Sequence, residues 1–228
     1  MKKIYYPVII VIVWLFTSCE NDRQLYDTNV SALNISFVDT IYTFATKAST
    51  VEEDTVWLKV NLIGDARDYA RDFKVKATSK TTMKEDYHYH LLNLRLEANT
   101  VIDTLPLLVY RKKDLKDSTF VLELELVPNE NFVQGADRKT RLEMTDRLVA
   151  PSDWESNLKT FFGVYSQTKH QLIIDATGIG DFKDLQIGTI RNMALMAQNY
   201  LDELNAARKE DGLDPLTDEF DREVKIGK

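Results

Sequence analysis

The sequence predicts an α+β protein: an antiparallel β-sandwich over residues 33–150, followed by a helical region over residues 151–228. Two observations carry that assignment. Between Leu33 and Met144, short runs alternate apolar and polar residues with period two, and turn-forming clusters separate them. From Pro151 onward the apolar spacing changes to that of helices, with Gly163, Gly178 and Gly212 as stops. A third observation sets aside the start of the chain, where residues 1–18 read as a secretion signal and residues 19–32 as a linker.

Lys2 and Lys3 supply the positive start of that signal. The apolar segment from Ile4 to Phe16 would span only ~20 Å as a helix, against a hydrocarbon core of ~30 Å. It is too short to anchor the chain comfortably, so it is excluded from fold reasoning. Thr17 and Ser18 before Cys19 resemble the bacterial lipobox, which implies that the Cys19 thiol is lipidated and becomes the new N-terminus. Cys19 is the only cysteine of the 228 residues, and a lone free thiol in an oxidising compartment would be a liability. As an acylated anchor to a membrane it is explained. Glu20, Asn21 and Asp22 then resemble the acidic export tag of Bacteroidetes lipoproteins, which implies the outer face of the outer membrane.

Removal of residues 1–18 takes away two lysines and moves the formal charge from -7 to -9. That balance argues against nucleic acid as a partner and against a polybasic membrane surface. Eight glycines and no biased tract leave little room for disorder.

The predicted strands follow in order. Leu33, Ile35 and Phe37 form the first apolar face, then Val56, Leu58, Val60 and Leu62 the next, broken by Gly64 to Arg67. Phe73, Val75 and Ala77 repeat the pattern, as do Leu92, Leu94 and Leu96, then Leu105, Leu107 and Val109, then Leu122, Leu124 and Leu126, and last Leu142 and Met144. Parity turns Trp57 and Tyr110 outward, where either ring could offer a flat apolar plate to a glycan or a peptide. The other reading has the C-terminal helices covering that face, with Trp57 part of the core.

In the second half, Ser152 and Glu155 have capping-box spacing, and Trp154, Leu158, Phe161 and Phe162 share one face of a helix over 153–162. Trp154 is expected to anchor the helices on the sandwich. A second helix starts near Tyr165 and Ser166 and ends at Thr177 to Gly180. A third runs from Thr189 to Asp211, with Ile190, Met193, Ala197, Tyr200, Leu201 and Leu204 on its core stripe. Leu195 lies opposite that stripe and is expected to face water or a partner. The segment after Pro215 is polar and expected to be loose.

Few residue sets suggest chemistry. Asp86, His88 and His90 alternate and would share one strand face, yet a tetrahedral metal site needs more ligands, and a solvated edge fits better. Glu52, Glu53 and Asp54 could offer oxygen ligands to calcium, although acidic loops are ordinarily solvated. There is no G-x-S-x-G, no H-E-x-x-H and no cysteine beyond Cys19. The expectation is a protein that is not an enzyme and uses no cofactor.

Two resemblances extend this reading. Lys84-Glu85-Asp86-Tyr87, Ala98-Asn99-Thr100 and the run from Ser118 to Leu124 resemble the second half of Calx-beta and related immunoglobulin-like modules, with Ser118 standing where such a module carries a glutamate. The blocks Asp54 to Val60, Lys113 to Ser118, and Pro151-Ser152-Asp153-Trp154 through Phe162 to Ser166 resemble an uncharacterised family of Bacteroidetes lipoproteins encoded beside SusC/SusD-type importers. That resemblance implies location and company, namely a surface lipoprotein serving such an importer as accessory subunit or ligand-binding component. It supplies no catalytic residues. The alternative is a stand-alone surface binding or adhesion lipoprotein.

Overall fold

The computed structural model describes residues 31–92 and 94–227. Cys19, the signal and most of the linker lie outside the described residues. Eleven strands form among those described: β1 (Ala32–Phe37), β2 (Ile41–Thr43), β3 (Glu53–Ile63), β4 (Arg71–Asp72), β5 (Lys74–Ala77), β6 (Tyr89–Leu91), β7 (Arg95–Leu96), β8 (Ile102–Tyr110), β9 (Phe120–Val127), β10 (Val133–Gln134) and β11 (Lys139–Thr145). A five-stranded sheet has the order β10-β1-β3-β8-β6, and a four-stranded sheet the order β2-β11-β9-β5. The short pair β4 and β7 stands apart.

The period-two pattern translates directly into this core. Leu33, Ile35, Leu58, Val60, Leu107 and Val109 of the first sheet are buried with Leu122, Leu124, Leu126, Leu142 and Met144 of the second in one apolar cluster. Each such side chain withdrawn from water stabilises the fold by roughly 1.5–3 kcal/mol. The sandwich departs from a purely antiparallel arrangement at two edges. β1 pairs in parallel with β10, and β2 in parallel with β11. The cause is a change of sheet by the chain: after β1 it crosses to the opposite sheet for β2, and after β10 it crosses likewise for β11. The run Leu92, Leu94 and Leu96 also departs from expectation, because β6 pairs with β8 whereas β7 leaves to pair with β4.

Beyond β11 come three helices. α1 opens as a π-helical turn over Trp154–Leu158, in which the Leu158 N–H reaches back to the Asp153 carbonyl at 3.4 Å, and continues as an α-helix over Lys159–Phe162. The expected capping box does not form, since no side chain caps this turn. α2 (Gln167–Thr177) does receive a side-chain cap, with the Lys169 N–H donating to Ser166 Oγ at 3.1 Å. α3 spans Ile187–Glu210.

The helices enclose a second apolar cluster, built around Trp154, Phe162, Ile173, Phe182, Met193, Ala197 and Leu201. Trp154 is fully buried here, and its indole N–H donates to the Gly163 carbonyl at 3.0 Å. It is therefore the centre of the helical core rather than an anchor on the sandwich. The segment after Pro215 is not loose either: Val224 is buried in the helical core, and its N–H donates to the Leu216 carbonyl at 2.8 Å. Sandwich and helices meet instead through polar groups. Ser49 donates from N and Oγ to Asp175 at 2.6 and 2.8 Å, and Gln171 Nε2 donates to the Lys47 carbonyl at 3.1 Å. Gly180 lets the two parts close, because a Cβ there would run into the Thr46 backbone.

Candidate functional site

The outer face of the five-stranded sheet is the candidate contact surface. Outward parity on β3 selects Thr55, Trp57, Lys59 and Asn61, and the ladder sets Trp57 opposite Pro106 of β8. On the other side the Val38 N–H donates to the Trp57 carbonyl at 2.9 Å, extending the pairing of β1 with β3 by one residue. Val38, Trp57 and Pro106 thus form one apolar row across three strands. Pro106 is tolerated because β6 pairs with β8 only from Leu107 to Val109, leaving that edge of β8 without a strand neighbour. Trp57 is 46% exposed, so the helices do not cover it. Among the described residues this is the widest ring held open on the sheet.

Tyr110 lies on the same face, since it pairs with Glu53 and that position shares the parity of Trp57. Four ladder steps separate the two rings, about 13 Å at strand spacing. Tyr110 is half-buried, and the Lys112 ammonium sits 5.5 Å from its ring centroid while lying 5.2 Å from that of Tyr87. A cation on an aromatic face is attractive by roughly 0.5–1 kcal/mol at exposed sites. Tyr110 is therefore already engaged within the chain, and Trp57 is the ring left open.

The histidines separate. His90 points outward and its Nδ1 meets Asp86 Oδ1 at 2.7 Å. His88 precedes the strand in a turn and is fully buried. The Lys84 N–H donates to His88 Nδ1 at 3.0 Å, which places the ring proton on Nε2, aimed at the Asp114 carboxylate 3.2 Å away. The three residues do not converge as ligands: His88 braces the turn at Lys113–Lys116, and Asp86, with φ of 59°, lies outside the strand. Among the described residues no group of three or more His, Cys, Asp or Glu side chains could hold a metal ion.

On α3, Leu195 is 63% exposed, with exposed Met196 beside it. Helical periodicity identified Leu195 but not Met196, which lies at the margin of the stripe. Tyr200, expected in the core, is instead partly exposed at the mouth of a cavity. Sequence reasoning also passed over His170. It is buried among the rings of Trp154, Tyr165 and Phe182, and neither ring nitrogen has a hydrogen-bond partner. Burial lowers its pKa to about 4, so the ring is neutral at pH 7. Among the described residues no helix is long and apolar enough to cross a membrane.

Residues 24–179 match the family described as "Domain of unknown function (DUF4843)". No curated protein matches the chain. Among solved structures, the apo form of the Calx CBD1 domain matches over 50% of this chain and 96% of its own, with 14% identity and a TM-score of 0.35. A protein from Bacteroides ovatus ATCC 8483, provisionally described as carbohydrate binding, matches over 50% of this chain and 37% of its own, with 11% identity and a TM-score of 0.37. A second Bacteroides ovatus protein, of unknown function, matches over 50% of this chain and 45% of its own, with 13% identity and a TM-score of 0.35. The chain thus spans less than half the length of either Bacteroides protein.

Proposed function

The chain belongs to the DUF4843 family, and on that premise we propose that it is an outer-membrane surface lipoprotein that works by contact rather than catalysis. In this reading Cys19 carries the lipid, and the mature chain is an accessory subunit or ligand-binding component of a SusC/SusD-type nutrient importer. The observation that carries it is the row of Val38, Trp57 and Pro106 across three neighbouring strands, in which Trp57 stays 46% exposed. Large exposed apolar side chains grouped on one face mark partner sites, and tryptophan is among the residues that most often dominate such contacts. Leu195 and Met196 on α3 offer a second, smaller contact.

Solubilisation of the importer from the native host in mild detergent should bring this chain with it. Trp57→Ala and Leu195→Glu should each weaken that association at least tenfold while leaving the fold intact. Importer recovered at full yield without this chain overturns the subunit reading. A soluble glycan or peptide ligand bound through Trp57 without the importer would establish the stand-alone binder instead.

A further inference from the structure

A cavity of about 470 Å³ opens where the sandwich meets the helices, away from Trp57. Six segments separated in sequence build it, contributing among others Ser49, Lys116, Asp146, Asp175, Tyr200 and Glu219. Its size falls within the range of small-molecule sites. Its acceptors are fixed before any ligand arrives. Asp175 is held by Ser49 and by Gln171 Nε2 at 3.0 Å. Asp146 is held by the Arg111 guanidinium through two bonds of 2.8 Å. Glu219 accepts from the N–H groups of Gln167 and Thr168 at 2.6 and 3.2 Å and from the Thr168 hydroxyl at 3.0 Å. Burial alone would raise the Glu219 carboxyl, but those bonds outweigh it and hold it below the usual range.

We infer that this cavity binds one residue of a neutral sugar. Asp146 is shut away by Arg111, so Asp175 and Glu219 are the carboxylates open to a ligand, and they outnumber the single Lys116, which disfavours an anion. Leu148, Leu172 and Leu216 line the same cavity, so it suits a ligand with both hydroxyl and C–H surfaces. The guanidinium beside Asp146 and the helix N-terminus beside Glu219 already offset part of the carboxylate charge, which weakens the case for an amine. Carboxylates have more lone-pair sites than these internal bonds occupy, and hydroxyl donors suit what remains. The partly exposed Tyr200 ring at the mouth gives the C–H face of a pyranose an apolar surface to lie on, with Leu204 beside it. Because the acceptors are already rigid, little ordering cost is added on binding.

The test uses the full mature chain in detergent with glucose, galactose, mannose and xylose, read by saturation-transfer NMR and calorimetric titration. At least one of these sugars should bind in the millimolar range. Tyr200→Ala should weaken it at least tenfold and Tyr200→Trp should preserve it. Trp57→Ala should leave it unchanged. Tyr200→Ala should also leave importer association unchanged, so this inference and the subunit reading fail separately. Any of three results overturns the sugar site: no binding by any of the four sugars, sugar binding indifferent to Tyr200→Ala in a folded variant, or displacement of the sugar by lysine amide at equal concentration.

Discussion

The two hydrophobic cores of this protein are built from different materials. The sandwich core is mainly aliphatic, with alternate residues of long strands meeting across two sheets and their backbone groups satisfied by the ladders. The helical core is aromatic and mixed. Trp154, Tyr165 and Phe182 surround His170, and the Tyr165 hydroxyl and both His170 nitrogens are buried without partners. An unsatisfied buried polar group costs about 1–3 kcal/mol. The helical core therefore holds more of its stability in a few large rings and gives some of it back in polar atoms, whereas the sandwich spreads its stability over many small contributions.

That contrast is sharpest at Trp154. Trp154→Ala should destabilise by ~3–5 kcal/mol in denaturant unfolding, as large-to-small core changes do. Truncation of a single leucine in the sandwich, such as Leu122→Ala, should lie at or below the same range. If the sandwich has its own cooperativity, hydrogen exchange in β3 and β9 should persist in the Trp154→Ala variant after α1 and α2 have opened. Loss of protection in all four elements together would mean that the two cores melt as one.

The next effect is acidic. His170 has an ordinary pKa of 6.5, and burial lowers it to about 4 in the folded chain. Above the unfolded value both states are neutral and nothing is lost. Between pH 6.5 and 4 the unfolded state takes up a proton that the folded state refuses, so stability falls as pH falls. The full loss from this group is about 3 kcal/mol by linkage. His170→Phe should remove that part of the pH dependence while the carboxylates keep theirs. A variant whose stability falls between pH 7 and 4 as steeply as the wild type would mean that the imidazole is already protonated or solvated.

Smallest of the three is the seam between the cores. Gly180→Ala forces a methyl group against the Thr46 backbone, and overpacking of this kind costs typically 1–3 kcal/mol. Thermal unfolding should show the loss, and the Ser49 and Gln171 amide resonances should shift because they belong to the same seam. Wild-type stability with unshifted resonances would show that the two parts can separate there without cost.

The sequence was most readable where a single period governs a long element. β1, β3, β9 and β11 carry their inward residues at every second position, and parity alone put Trp57 outside. Helical spacing likewise put Leu195 outside. Two-residue strands such as β4, β7 and β10 have no period to read, and their existence depends on partners elsewhere in the chain. His88 illustrates another limit. Alternation assigned it to the face of His90, but the strand begins one residue later and the turn before it folds the ring inward. The sugar cavity was hidden for a different reason: Ser49, Asp146, Asp175, Tyr200 and Glu219 share no local pattern, and only the meeting of the two parts gathers them.

The parallel edge pairs also bear on the order of assembly. β1 meets β10, and β2 meets β11, across about one hundred intervening residues, a separation at which closing the loop is costly and non-local pairing slows folding. Neither sheet can acquire its outermost neighbour until the last sandwich strands have been delivered. A chain crossing a membrane N-terminus first would therefore present β1 and β2 with unpaired edges for as long as translocation of the segment up to Thr145 takes, and during that interval they are the stretches most in need of a chaperone.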